Sequence, residues 1–188
     1  MSINIYDFDG VLCDPIEDCI FRLEESYLDN QFIELGRQRY NITQLSNHTQ
    51  RNRHLILQEV LYEQKKLPEP GPLFDQLMSS TDPFFVLTAR SGPGAVARVS
   101  QFFEVYKRRP EEMFFVGPVS KNHILIDLCD KFPHMELNFY DDTIYHIDHA
   151  NELGYTNLNA VWVDNEVENL KAEAEDYYKA LVGWLQCQ

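Results

Sequence analysis

Tyr6-Asp7-Phe8-Asp9-Gly10-Val11-Leu12 sets two carboxylates two residues apart, where a short apolar segment meets a glycine. Ile3-Asn4-Ile5-Tyr6 alternates and reads as a strand, and Gly10 supplies the backbone freedom to leave it sharply. Side chains alternate along a strand, so Asp7 and Asp9 are expected to point the same way. Two carboxylates so close repel one another unless a cation or a shared proton intervenes. The economical reading is a metal-assisted site at the carboxyl end of a first parallel strand. Asp-x-Asp-Gly also occurs in ordinary turns and in calcium loops, and the later chain decides between these readings.

That later chain alternates strand with helix. Pro83-Phe84-Phe85-Val86-Leu87 is a continuous apolar run of the kind buried in a parallel sheet, and it delivers Thr88-Ala89-Arg90. Gly92-Pro93-Gly94 turns into a helix carrying Val96, Val99, Phe102 and Phe103, and Met113-Phe114-Phe115-Val116 makes the next strand. Ser120 suits a cap for a helix from Lys121 with Ile124, Leu125, Leu128 and Phe132 on its core face. Met135 to Tyr140 reads as a strand ending in Asp141-Asp142, followed by a helix from Thr143 to Leu153, a stop at Gly154, and a fifth strand over Asn159–Val163. The fold class is α/β, a doubly wound, mainly parallel five-stranded Rossmann-like sheet, in which ligands bind beyond the carboxyl ends of the strands.

Residues 1–14 and 73–165 make up this core. Residues 15–72 read as a mainly helical insertion and a candidate cap, with helices from Ile16 to about Leu28 and from about Arg53 to Lys65, a looser polar region over 37–54, and a stop at the prolines of 67–72. A short helix is expected over Leu73–Ser79. Residues 166–188 read as an acidic amphipathic helix that packs on the core or on a second subunit, so an oligomer is an open option.

The 188 residues carry 16 Lys+Arg against 30 Asp+Glu, a net charge of −14, which disfavours an extended nucleic-acid or anionic-membrane surface and leaves any anionic substrate in need of a local cation. The four cysteines, Cys13, Cys19, Cys129 and Cys187, show no C-x-x-C pair, which suits a reducing compartment. No apolar stretch approaches membrane-spanning length and no basic segment precedes a long apolar run, so a cytoplasmic protein with no membrane partner is expected. Lys107-Arg108-Arg109 suits the complement of a helix C-terminus better than an oligonucleotide site.

On this topology Asp7, Asp9, Thr88, Asp141 and Asp142 lie at strand ends, with Lys121 opening a helix nearby. In these residues, and in their order from about residue 3 to 155, the chain resembles the phosphatases of the haloacid dehalogenase-like superfamily. Asp7-Phe8-Asp9-Gly10-Val11 matches the first motif, Thr88 the second, Lys121 the third and Asp141-Asp142 the fourth. The chemistry explains the residue types. A phosphate dianion facing a carboxylate is repelled by about 1 kcal/mol per charge pair at 4 Å in water and about 4 kcal/mol at an effective dielectric of 20.

The resemblance implies Mg²⁺ as cofactor, Asp7 as the nucleophile that forms an aspartyl-phosphate, and Asp9 as acid to the leaving group and then base to water. It implies Thr88 and Lys121 as phosphate contacts, and Asp7, Asp9 and Asp142 as metal ligands with Asp141 as a further candidate. Arg90 is a candidate substrate contact or a structural ion pair, because Thr-Ala-Arg resembles the subset of the superfamily that includes polynucleotide 3′-phosphatases. The fourth motif departs from the commoner Gly-Asp-x-x-x-Asp: Asp141 stands at the glycine, Asp142 at the metal ligand and His146 at the second acid. His146 and His149 are spaced to share a helix face, which makes a zinc site conceivable, but without cysteine or further histidine partners ordinary helix histidines are the better reading.

Three functions compete at this point. They are a Mg²⁺-dependent phosphomonoesterase for a small phosphorylated metabolite or nucleotide, a polynucleotide 3′-end phosphatase, and a catalytically silent interaction module. The acidity favours the first. Asp9 speaks against a dehalogenase, which in this superfamily lacks the second aspartate.

Overall fold

The computed structural model describes residues 2–14, 32–35, 38–41, 69–91, 93–117 and 119–164. The chain divides into two compact units, Met1–Pro15 with Leu67–Asn165 and Ile16–Lys66 with Glu166–Gln188. The strands are β1 (Ser2–Tyr6), β2 (Phe32–Leu35), β3 (Gln38–Asn41), β4 (Phe84–Thr88), β5 (Glu112–Phe115), β6 (Glu136–Asp141) and β7 (Leu158–Trp162). The helices are α1 (Phe74–Ser79), α2 (Pro93–Tyr106), α3 (Asn122–Lys131) and α4 (Ile144–Glu152). In the first unit five strands form an all-parallel sheet in the order β5-β4-β1-β6-β7. The α/β architecture expected from the periodicity is therefore present, with boundaries moved by a residue or two.

Both faces of this sheet are covered, which is why β4 is buried at every position. Phe84 and Val86 pack with Tyr6, Leu77, Val99 and Phe102 on one face, where α1 and α2 lie. Phe85 and Leu87 pack with Ile3, Ile5, Leu125 and Ile147 on the other, where α3 and α4 lie. Each such side chain contributes about 1.5–3 kcal/mol relative to exposure. The alternation of β1 and β6 has a further effect. Asp141 continues the buried phase of Leu137 and Phe139, toward the α3 and α4 face.

β1 stops at Tyr6, and the chain then turns through Phe8, with Leu12 and Cys13 both donating to its carbonyl, and through Gly10 at φ 72°. The turn breaks the strand alternation expected to aim Asp7 and Asp9 alike. Gly71 closes against this turn: its N–H donates to the Leu12 carbonyl, and a Cβ there would sit 2.6 Å from the Cys13 oxygen and 2.8 Å from that of Val11. Only glycine fits such an approach.

In the second unit β2 and β3 pair antiparallel, Phe32 opposite Asn41 and Leu35 opposite Gln38. The reading of 15–72 as mainly helical contains no strand here. The missed signal in the sequence is the glycine-first pair Gly36-Arg37 between Phe32–Leu35 and Gln38–Asn41, a pattern that favours a hairpin. The helices expected over 16–28, 53–65 and 166–188 lie outside the described residues. Among the described residues no helix is long and apolar enough to cross a membrane.

Candidate active site

Parallel strands end on the same side, so the register decides which ends meet. Tyr6 pairs with Tyr140, and the Asp7 N–H extends the ladder to the Tyr140 carbonyl at 2.8 Å, which sets Asp7 beside Asp141. Thr88 closes β4 on the other side of β1. Lys121, and not the expected Ser120, stands at the N-cap of α3, and the Ser120 hydroxyl one position earlier accepts the Asn122 N–H at 3.2 Å.

These placements bring Lys121 between two carboxylates. Its Nζ lies 2.7 Å from Asp141 Oδ2 and 3.0 Å from Asp7 Oδ1, and the lysine is only 2% exposed. Asp141 is fully buried. Its Oδ2 also meets His146 Nδ1 at 3.0 Å, and its Oδ1 accepts the Thr143 N–H at 2.8 Å. Asp7 Oδ1 accepts the Phe8 N–H at 2.7 Å. Oxygens of Asp7, Asp141 and Asp142 all lie within 4.8 Å of one another, and this is the acidic cluster found among the described residues.

Asp9 is placed differently. Arg90 grips its carboxylate with Nε at 2.7 Å and an Nη at 2.5 Å, while the guanidinium carbon lies 5.3 Å from the centre of the Phe8 ring. The two carboxylates expected to share one cation thus have one partner each, Lys121 for Asp7 and Arg90 for Asp9. The Asp9 carboxylate is not part of the acidic cluster. Thr88 Oγ1 accepts the Arg90 N–H at 3.1 Å, an acceptor role that leaves a hydroxyl its own proton to donate.

The electrostatics follow from burial. Burial pushes the Asp7 carboxyl well above the usual aspartate range; Lys121 pulls against this, while Asp141, Asp142 and Asp9 add to it. Burial likewise opposes the charge on Lys121, but Asp7 and Asp141 outweigh it and hold the ammonium above its ordinary value. For Asp141 burial raises and Lys121 with His146 lowers, and the net displacement is downward. Asp141 is an anion held by fixed donors, whereas Asp7 is a carboxylate still short of positive charge.

Asp7 and Asp141 share the Lys121 ammonium, and Asp142 adds a third carboxylate to the cluster. The clustered donors are all carboxylate oxygens, the set that suits Mg²⁺ and gives zinc neither nitrogen nor sulfur. The Asp141 oxygens already serve Lys121, His146 and the Thr143 N–H.

Sequence reasoning left His146 without a role, and the structure ties it to the site through Asp141. Its place in the first turn of the helix that follows Asp141-Asp142 was the available signal. His149 instead packs its ring 3.9 Å from that of Tyr145. Cys13 is buried, its Sγ donating to the Asp14 carbonyl at 3.2 Å. Arg108 serves helix ends, as expected: its Nη donates to the Ser80 carbonyl after α1 and its N–H to the Phe103 carbonyl in α2.

No family model matches the chain, and no curated protein matches it. Among solved structures, one from Burkholderia xenovorans LB400 described as a haloacid dehalogenase-like hydrolase is similar over 86% of this chain and 81% of its own, at 16% identity and a TM-score of 0.48. The fold assignment rests on the strand order and register given above.

Proposed function

We propose that the protein is a Mg²⁺-dependent phosphomonoesterase that works through an aspartyl-phosphate on Asp7 and acts on a small phosphorylated metabolite or nucleotide. The observation that carries this reading is the buried Lys121 ammonium, bridging Asp7 and Asp141 beside the Asp142 carboxylate. A buried lysine spanning two carboxylates at the strand ends is the charge arrangement a phosphoryl-transfer nucleophile needs.

Asp7 and Asp142 would hold Mg²⁺, which when bound would supply the positive charge that lets a phosphate dianion approach a carboxylate. An Asp7 oxygen attacks phosphorus as the bond to the leaving oxygen breaks, and Asp9 gives that oxygen a proton. Water then attacks the phosphorus of the aspartyl-phosphate, Asp9 takes its proton, and inorganic phosphate leaves with Asp7 restored. Thr88 donates its hydroxyl to the phosphate, and Lys121 adds a point charge close to a helix N-terminus. Arg90 orients the Asp9 carboxyl group through its two hydrogen bonds. For the first step one of the two Arg90 bonds opens, and the substrate phosphate offers the guanidinium an equivalent bidentate partner.

Hydrolysis of p-nitrophenyl phosphate that requires Mg²⁺, stops with EDTA and vanishes in Asp7→Asn is the expected result, because the amide cannot act as the nucleophile. Full activity of that variant would remove the covalent mechanism. The same screen over nucleotides, sugar phosphates and 3′-phosphorylated oligonucleotides identifies the substrate class. Turnover confined to the oligonucleotides would replace the small substrate by a nucleic-acid end. Metal binding without hydrolysis of any substrate would make the chain a silent module.

A further inference from the structure

Three large apolar side chains near the acidic cluster are left open to solvent. Ile144 and Tyr145 begin α4, directly after Asp142-Thr143, and are 56% and 58% exposed. Trp162 ends β7 and is 50% exposed. Its placement is specific: the indole Nε1 donates to the Asp142 carbonyl at 2.9 Å, and Asp142 is the residue whose carboxylate belongs to the acidic cluster. The ring is tethered to the backbone of a site residue while half of its surface remains open. β7 lies two strands from β1 and Trp162 is in register with Asp141. At about 4.8 Å per strand its backbone stands roughly 10 Å from that of Asp7, about the reach of one sugar.

We infer that Trp162 is a stacking platform for a planar base carried by the leaving group, so that the substrate class is a nucleoside monophosphate and not a simple sugar phosphate. This rests on the phosphomonoesterase reading above and deepens it. An indole with its N–H already satisfied has only apolar and π surface left to offer, on which every base can stack and which reads no hydrogen-bond pattern. The platform therefore selects for an aromatic base without choosing which. The net charge of −14 favours a substrate with a single phosphate over a polyanionic strand.

The test compares kcat/KM for a nucleoside monophosphate and for ribose 5-phosphate in the parent, Trp162→Phe and Trp162→Ala, with folding checked by circular dichroism. The parent is expected to prefer the nucleotide, and Trp162→Ala to lose about ten-fold to hundred-fold of that preference through KM. Trp162→Phe keeps a stacking face and loses the tether, so it should retain most of the preference. If phenylalanine behaves like alanine, Trp162 is a structural tether and the inference is overturned.

A second readout does not depend on either variant folding. The chain has two tryptophans, Trp162 and Trp184, so Trp184→Phe leaves Trp162 as the sole indole reporter. A nucleoside monophosphate should quench its fluorescence and ribose 5-phosphate should not. Equal effects from the two, in a protein that hydrolyses both, overturn the platform alone. Hydrolysis of neither compound nor of any other phosphate ester overturns the phosphatase reading, and the platform with it.

Discussion

Replacing Lys121 by methionine keeps an unbranched side chain one atom shorter and removes the one charge that Asp7 and Asp141 share. The ammonium is 2% exposed, 2.7 Å from one carboxylate and 3.0 Å from the other, so water cannot take its place. Removing one partner of a buried ion pair costs about 3–5 kcal/mol, because the remaining charge is left uncompensated. The lower end applies here. Asp141 keeps its contacts with His146 and the Thr143 N–H, and Asp7, already held well above the usual aspartate range by burial, neutralises readily. A loss of about 3 kcal/mol lowers the melting midpoint of a chain this size by about 6–12 °C.

The loss also has a predicted pH dependence. In the variant the folded-state pKa values of Asp7 and Asp141 both rise, and a raised folded value contributes stability that is lost as pH rises through it. The deficit should therefore be full near pH 7.5 and narrow as pH falls toward the carboxylate range. In the parent the Lys121 contribution, from a pKa above its ordinary value, is present up to about pH 10 and lost as pH rises through the folded value. Calorimetric melts of metal-free protein at pH 4.5, 6.0 and 7.5 measure the first effect, and melts above about pH 10 the second. A midpoint unchanged at pH 7.5, or a deficit that does not shrink on acidification, would mean that Lys121 does not hold these carboxylates as described.

Two further outcomes concern the same cluster. Asp142→Ala should weaken Mg²⁺ binding, measured by isothermal titration, more than Asp141→Asn does, because the Asp141 oxygens are already committed to Lys121, His146 and Thr143; the reverse order would exchange their roles. Asp9→Asn should keep a rapid-quench burst on an aryl phosphate, whose leaving group needs no proton, and lose steady turnover by about 10²–10⁴-fold for want of the base. Parent-like turnover in that variant would reduce Asp9 to the ion pair it makes with Arg90.

Strand and helix order was legible in the sequence because it depends on local periodicity. The run Phe84–Leu87 requires cover on both faces, and the alternation of Glu136–Tyr140 announces a strand that ends at acids. A parallel sheet gathers its strand ends on one side, so Asp7, Thr88, Lys121 and the Asp141-Asp142 pair could be named as neighbours before any distance was known. The hairpin of β2 and β3 was missed because four-residue strands hold too few alternations to stand out from a polar segment.

The tertiary structure alone decided which charge meets which. Asp9 and Arg90 are 81 positions apart and Lys121 and Asp141 are 20 apart, and nothing local couples them. The decisive step is small: β1 ends at Tyr6, so the following turn sends Asp9 to Arg90 instead of repeating the direction of Asp7. β6, by contrast, runs through Asp141, so that residue keeps the buried phase and meets Lys121, while Asp142 begins the next turn. A shift of one residue reverses the face of a side chain, and composition and spacing do not record on which side of a strand end an acid falls.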